Sequence, residues 1–460
     1  MKEMMDPVTK TGSRKNEYRY YLLSLGCAKN LVDAECMARI LMDDGFKSVS
    51  SPELADILIV NTCGFIESAK RESIDAILEL ASFKQPQGSA KWLIVTGCLS
   101  QRYAEDIYRE LPEVDAVLGT ADYGQISKYI DQLETGTNRP YLPGEPGCLD
   151  HLTVARQPST QHYAWIKIAE GCSNHCSYCA IPGIRGPYQS RSFEEIIQEA
   201  KRLSKEGYGE LILIAQDTGA YGVDLYGRQR LPELIETICQ IPEVRLVRIL
   251  YTYADGVTDD LIDVLKRQDK AAHYLDIPIQ HASDPMLRRM NRPDRSESLS
   301  ALFGRLRQEI PDIILRTTVM VGFPGETDDD FNALIQFITD IRFDRLGCFI
   351  FSPEEGTPAY KLKNRVDATI AQERYDRLML HQQVIAAEQA EKRIGSVVSV
   401  TLESIDERGI FYVGRSFGEA PDTDPIIYVA ASDESVELGQ TRNVRIASAD
   451  AYEMTGVTVS

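Results

Sequence analysis

No run of about 18 or more consecutive apolar residues occurs in this 460-residue chain, so no membrane-spanning helix is expected. The opening stretch, MKEMMDPVTKTGSRKNE, lacks the apolar centre of a secretory signal and is expected to be a flexible tail over residues 1–17. Basic residues are scarce beside acidic ones, 50 against 69, leaving a net charge of −19 and a pI near 4.9. That balance argues against a broad phosphate-binding surface. It suits attraction to a basic partner, although a solvated acidic surface that only keeps a protein soluble has the same composition. Ten cysteines without an export signal point to a reducing cytoplasm, and to metal ligation rather than disulfides.

What is present is concentrated in one stretch, Gly171 to Arg191, GCSNHCSYCAIPGIRGPYQSR. Cys172, Cys176 and Cys179 are separated by three and by two residues. Short cysteine spacings let one loop wrap an iron–sulfur core. Three thiolates bind three irons of a four-iron cluster and leave the fourth open to a further ligand, as a catalytic metal site requires. No second cysteine pair follows at zinc-ribbon range. A redox or zinc-binding cysteine loop is the alternative reading. With Tyr178 just before the third cysteine, the CxxxCxxC pattern resembles the radical S-adenosylmethionine (SAM) superfamily. The resemblance implies that the open iron chelates the amino and carboxylate groups of SAM's methionine, and that one electron from the cluster releases a 5′-deoxyadenosyl radical.

Upstream, residues 18–135 read as a doubly wound α/β domain. Strands are expected at Arg19–Leu25, Ala55–Val60, Lys91–Thr96 and briefly Ala116–Leu118, with helices at Leu31–Met42, Glu67–Leu80 and Ala104–Leu111. Cys27, Cys63 and Cys98 each follow one of the first three strands. Parallel strands bring their carboxyl ends to one sheet edge, where ligands bind, so three thiols distant in sequence are expected to converge on a second cluster. Gly26, Gly64 and Gly97 beside them are expected to admit a bulky group. Cys36, Cys148, Cys239 and Cys348 read as packing or incidental residues.

Residues 136–161 are rich in Pro, Gly, Thr and Asn and read as a linker. From 162 to 394, six strands alternate with helices and end in a long exit helix, Ala368–Arg393. Six is too few for a closed eight-stranded barrel and is the number in the open β/α barrel of radical SAM enzymes. By that resemblance Tyr178, Gln216 and Asp217 lie with the cluster and SAM's methionine end, and the GFPGE stretch with Gly322 and Glu326 lies near adenine and ribose. His175 and His281 have no patterned partners, and no side-chain acid or base is assigned. Residues 395–460 read as a small all-β barrel resembling the TRAM domain. This last segment carries eleven acidic and four basic residues.

The three parts together resemble the radical SAM methylthiotransferases over almost the whole chain. SLGCAKNLVDAE, NTCGFIESAKRESIDAI, YLDIPIQHAS and FIFSPEEGTPAY resemble the branch that acts on a ribosomal protein rather than the branch that modifies a tRNA adenosine. The resemblance implies two [4Fe-4S] clusters, SAM, and a methylthio group added to the β-carbon of an aspartate in the basic twelfth protein of the small ribosomal subunit. It further implies an external electron donor and sulfur source, no membrane and no direct tRNA binding. Two other readings stay open at this point, a tRNA adenosine methylthiotransferase and a non-catalytic iron–sulfur scaffold.

Overall fold

The computed structural model describes residues 18–136, 143–431 and 436–459. The expected tail 1–17 and residues 137–142 of the expected linker lie outside them. The described chain forms two compact units, one ending at Gln157 and one beginning at Pro158.

The first unit is built on five parallel strands: β1 (Arg19–Ser24), β2 (Lys47–Ser48), β3 (Ile57–Thr62), β4 (Trp92–Gly97) and β5 (Ala116–Val117), in the order β2-β1-β3-β4-β5. β3 is buried at all six positions, as an uninterrupted apolar run in the middle of a parallel sheet must be. Helices α1 (Ala28–Asp43) and α4 (Ile126–Glu134) share one core with one face of the sheet. Helices α2 (Glu67–Ala81) and α3 (Cys98–Glu110) share another with the opposite face. This is the expected doubly wound arrangement, with β2 as an edge strand too short to read in sequence. The described part of the linker is more ordered than its composition suggests. It holds a 3₁₀ turn at Asp150–Thr153, and it packs on α1 through His151–Asp33 (2.8 Å) and Arg156–Glu35.

The second unit has six parallel strands: β6 (Tyr163–Lys167), β9 (Glu210–Ile214), β10 (Leu246–Ile249), β11 (Tyr274–Asp276), β12 (Ile314–Val321) and β13 (Arg345–Ile350). A two-strand hairpin, β7 (Ala169–Glu170) with β8 (Gln189–Ser190), brackets the cysteine loop. The six form two hydrogen-bonded sheets, β10-β9-β6 and β11-β12-β13. Bonds such as Thr252 N–H to the Asp276 carbonyl (2.9 Å) link them into one open barrel. α5 (Ile181–Arg185) follows the cysteines, and α6 (Phe193–Lys205), α7 (Val223–Tyr226), α8 (Leu231–Cys239), α9 (Asp259–Arg267), α10 (Asp284–Arg289), α11 (Ser296–Glu309) and α12 (Asp328–Ile341) connect the strands. α12 starts with a capping box: the Thr327 hydroxyl accepts from Asp330 N–H (3.2 Å) and the Asp330 carboxylate from Thr327 N–H (3.0 Å). α13 (Ala368–Glu391) leads to a closed barrel of β14 (Val397–Ile405), β15 (Tyr412–Arg415), β16 (Ile426–Ala430), β17 (Thr441–Ala449) and β18 (Glu453–Thr458).

The connection between β15 and β16 plugs the amino-terminal end of the open barrel. Arg248 of β10 pairs with Glu210 (2.8 Å) and donates to the carbonyls of Ser416 (3.1 Å) and Phe417 (2.6 Å). Arg415 reaches Glu210 (2.8 Å) and Glu403, and Tyr274 donates to Asp424 (2.7 Å). Burial alone would raise the carboxyl of Glu419, but Arg393 and Arg345, together with Ser416, hold it at about 2. Buried charges persist only when paired in this way. Glu403, Glu419 and Asp424 are therefore committed inward, as is Arg415, and the sequence from Gly395 onward keeps eight acidic residues against three basic ones.

Candidate functional site: two triads of thiols

Because β1, β3 and β4 are neighbours in the sheet, the turns at their carboxyl ends are neighbours too. Cys27 is the N-cap residue of α1, Cys63 follows β3, and Cys98 opens α3. Two of the three thiols thus sit at helix amino termini, which favour negative charge. A Cβ added at Gly26 (φ +93°) would lie 2.8 Å from the Cβ of Cys63 and 3.1 Å from its sulfur. One at Gly64 would lie 2.6 Å from the Cα of Leu99, and one at Gly97 (φ +101°) 2.5 Å from the Thr62 carbonyl oxygen. The glycines therefore let the three cysteine-bearing turns close on one another, which is a more local role than admitting a bulky group.

Asn30 ties the triad together. Its amide donates to the carbonyls of Leu25 and Thr62 (both 2.9 Å), its carbonyl oxygen lies 3.6 Å from the sulfur of Cys98, and its main-chain carbonyl accepts from Asn61 (2.8 Å). Ser73 of α2 pins Cys63 at both its N–H (3.0 Å) and its carbonyl (2.8 Å). Among the described residues no three His, Cys, Asp or Glu side chains are grouped as ligands of a single metal ion. Thiolates of a four-iron cluster bind separate irons and surround a volume rather than a point.

The second triad lies between β7 and β8. Cys172 N–H bonds to the Gly186 carbonyl and Cys179 N–H to that of Cys176 (3.1 Å each). Burial pushes the thiol of Cys172 up and that of Cys179 to about 12, and each neighbouring thiol adds to the effect. Cys172 and Cys176 are only 5% and 4% exposed and Cys179 is half-buried, and three thiols on one short loop are a donor set that fits a positively charged iron core. Tyr178 is half-buried against Met286, Met290 and Phe323 and lies beside Cys176; burial raises its phenol well above the ordinary value.

Gln216 and Asp217 follow β9. The amide of Gln216 donates to Glu170 (2.7 Å), a carboxylate also held by Arg185 (3.1 Å) and Lys167. Asp217 accepts from Asn174 of the cysteine loop (2.8 Å). Among the described residues, Oε1 of Gln216 and Oδ1 of Asp217 are buried without a hydrogen-bond partner. Two acceptors left over on consecutive residues suit a donor-rich ligand such as an ammonium group. Burial first, and then the charge of Asp255, raise the carboxyl of Asp217 to about 6.

Glu326 and Gly322 lie together at the end of β12. The Glu326 carboxylate is fully buried and spent on Gly322 N–H (2.6 Å), Arg374 (2.8 Å) and His281 (3.2 Å), so it shapes this turn from within. Gly322 packs against α13, where an added Cβ would meet the Cβ of Ala371 at 2.7 Å. His281 accepts at Nδ1 from the N–H groups of Ala282 (3.0 Å) and Ser283 (2.9 Å), which places its proton on Nε2 facing Glu326. It is a structural histidine, and His175 is exposed. Cys36, Cys239 and Cys348 are buried, the last two within the apolar core of the open barrel, as packing cysteines are. Sequence reading did not find Asn30, Asn174, Tyr253 or Arg292. Only Tyr253 carried a usable signal, as a polar aromatic residue just beyond a strand end.

Three family models match the chain. Residues 19–119 match the uncharacterized protein family UPF0004, residues 166–338 the radical SAM superfamily, and residues 394–459 the TRAM domain. Among curated proteins, the ribosomal protein uS12 methylthiotransferase RimO of Clostridioides difficile (strain 630) is 46% identical over 436 residues, covering 95% of this chain and 97% of the relative. The protein of the same name from Lachnoclostridium phytofermentans is 47% identical over 440 residues, covering 95% and 99%. Among solved structures, the radical SAM methyltransferase TsrM from Kitasatospora setae, with cobalamin and a [4Fe-4S] cluster bound, superposes with a TM-score of 0.56 at 13% identity, covering 87% of this chain and 88% of that one. At that identity TsrM bears on the fold alone. The curated relatives are aligned over 95% of this chain, which belongs to the RimO family of radical SAM methylthiotransferases.

Proposed function

We propose that this chain adds a methylthio group to ribosomal protein uS12, at the β-carbon of an aspartate. The observation that carries this reading is the pair of thiol triads, each at the carboxyl end of a parallel sheet, in a chain whose full-length relatives bear that activity in their names. Cys172, Cys176 and Cys179 would hold one [4Fe-4S] cluster, and Cys27, Cys63 and Cys98 a second. When bound, the clusters and SAM supply the electron, the sulfur site and the carbon radical needed at an unactivated C–H, chemistry that no side-chain base offers at neutral pH.

The chain's own residues bind and orient. Gln216 Oε1 and Asp217 Oδ1 would accept hydrogen bonds from the ammonium of SAM, with Glu170 and Asn174 fixing their rotamers. The turn from Gly322 to Glu326, held from within by the Glu326 carboxylate, would border the nucleoside end. Tyr178 would pack beside the cluster. No residue is assigned as a general acid or base. The functional division is an α/β domain at 18–135, a connection at 136–161, the SAM barrel with its exit helix at 162–394 and the TRAM-like barrel at 395–460. The acidic excess of the last segment favours encounter with a basic ribosomal protein and disfavours tRNA. The electron donor and the sulfur source come from outside the chain, and the reaction is placed in the cytoplasm.

The test is anaerobic incubation of the reconstituted full chain with SAM, a reductant, sulfide and either uS12 or tRNA, followed by mass spectrometry. A methylthio group on one aspartate-containing peptide of uS12 is expected. A methylthiolated adenosine instead would transfer the assignment to the tRNA branch.

A further inference from the structure

The middle of the second cysteine loop is strapped to the segment between α10 and α11. Ser177 N–H donates to the Met290 carbonyl (2.9 Å), the Ser177 hydroxyl to the Arg289 carbonyl (2.8 Å), and the Asn291 amide to the His175 carbonyl (2.7 Å). Asn291 is left-handed (φ 56°), which turns the chain so that Arg292 points back under the loop. The Arg292 side chain is buried and fully directed. Nε donates to Asp294 (3.0 Å), Nη2 to the Pro278 carbonyl (2.9 Å), and Nη1 is left facing the sulfur of Cys176 at 4.0 Å. The same guanidinium stacks 4.2 Å from the centre of the Tyr253 ring, and the Tyr253 hydroxyl lies 3.4 Å from the same sulfur. Neither residue is used by the binding roles given above. The guanidinium is paired with a carboxylate and a carbonyl, as a buried charge must be, and its Nη1 is aimed at one thiol.

We propose that Arg292 and Tyr253 are tuning residues that donate hydrogen bonds to the sulfur of Cys176 and so raise the reduction potential of the cluster this triad holds. This deepens the reading of Cys172, Cys176 and Cys179 as cluster ligands and rests on it. The physical reason is charge. Reduction adds an electron that is shared with the ligand sulfurs, and donors and positive charge nearby stabilise the reduced form more than the oxidised one. Stacking on Arg292 fixes the Tyr253 ring, so the two donors act from one rigid unit.

The test uses the full chain reconstituted with iron and sulfide, in three forms: unchanged, Tyr253→Phe and Arg292→Lys. Potentiometric titration follows the electron paramagnetic resonance signal that changes on adding SAM, which selects the SAM-binding cluster. Tyr253→Phe removes one oxygen and keeps the stack. At the midpoint potential of the unchanged protein its reduced-to-oxidised ratio should fall by a factor of ~10, equivalent to ~59 mV for a one-electron couple. Arg292→Lys, which keeps the charge but loses the directed fork, should shift the potential the same way by a smaller amount. An unchanged midpoint in Tyr253→Phe with a full iron complement overturns the inference. Loss of that cluster's iron in Tyr253→Phe also overturns it, because the residue would then be holding the loop rather than tuning the sulfur. If the unchanged chain takes up no iron at this triad, the cluster reading itself fails, and that outcome is distinct from both.

Discussion

Replacing Asp217 by Asn should stabilise the cluster-free chain and weaken SAM binding. Asp217 is 6% exposed, its Oδ2 is held by Asn174, and its Oδ1 has no hydrogen-bond partner among the described residues. Burial, then Asp255, lift its carboxyl from 3.8 to about 6. A displacement of that size costs the folded state roughly 3 kcal/mol once the group is ionised. The folded pKa lies above the unfolded one, so the cost is absent when both states are protonated, grows as pH rises from about 4 to 6, and is complete above that. Asn keeps the shape and an acceptor for Asn174 while removing the charge. Urea unfolding of the full chain should therefore show Asp217→Asn more stable by about 1–3 kcal/mol at pH 8, and by only ~0.5 kcal/mol at pH 4. SAM affinity of the reconstituted protein, measured by equilibrium dialysis, should fall at least ~10-fold with loss of a charge-assisted bond. A purely structural carboxylate would behave oppositely. Destabilisation by Asn at pH 8, or a gain equal at both pH values, would refute the reasoning.

Four further outcomes are expected. Cys63→Ala should halve the iron taken up on anaerobic reconstitution, measured by colorimetric iron analysis, because one thiol of one triad is lost. Cys176→Ala should abolish 5′-deoxyadenosine formation, whereas Cys98→Ala should still cleave SAM and yield no methylthiolated uS12, both read by chromatography and mass spectrometry. Asn30→Ala should cost roughly 2–4 kcal/mol in urea unfolding, since it strips the Leu25 and Thr62 carbonyls of their donor; iron uptake should fall with it. Glu419→Gln should cost about 3–5 kcal/mol by leaving buried Arg345 and half-buried Arg393 without their anion. The Glu419 carboxyl is depressed from 4.5 to about 2, so the stability it confers is complete above about pH 4.5 and lost as pH falls toward 2, and the stability difference between the variant and the unchanged chain should shrink across that window.

The sequence by itself determined that the six cysteines lie in turns that follow strands. Periodicity placed each cysteine just past a predicted strand, and a parallel sheet leaves only one edge for those turns to occupy. It also determined the alternation that makes a doubly wound domain, the six strands of the open barrel and the long exit helix, because these depend on local apolar spacing. Boundaries were less legible where a residue has two roles. α3 was read from Ala104 but begins at Cys98, with non-helical dihedrals at Tyr103, so the kink hid its first turn from any periodic pattern.

Only the tertiary structure decided which polar side chains serve the triads. Asn30, Arg292 and Tyr253 are distant in sequence from the sulfurs they approach, or are ordinary in their local context, and a hydrogen bond across 116 positions leaves no local signal. The same is true of Glu403, Glu419 and Asp424. In composition they are surface acids, and in the folded chain they are bound to buried or half-buried arginines, two of them in the plug beneath the open barrel. Charge composition predicts a partner's sign, but ion pairing within the fold decides which charges remain to meet it, because the opposite charges of a close pair largely cancel at a distance.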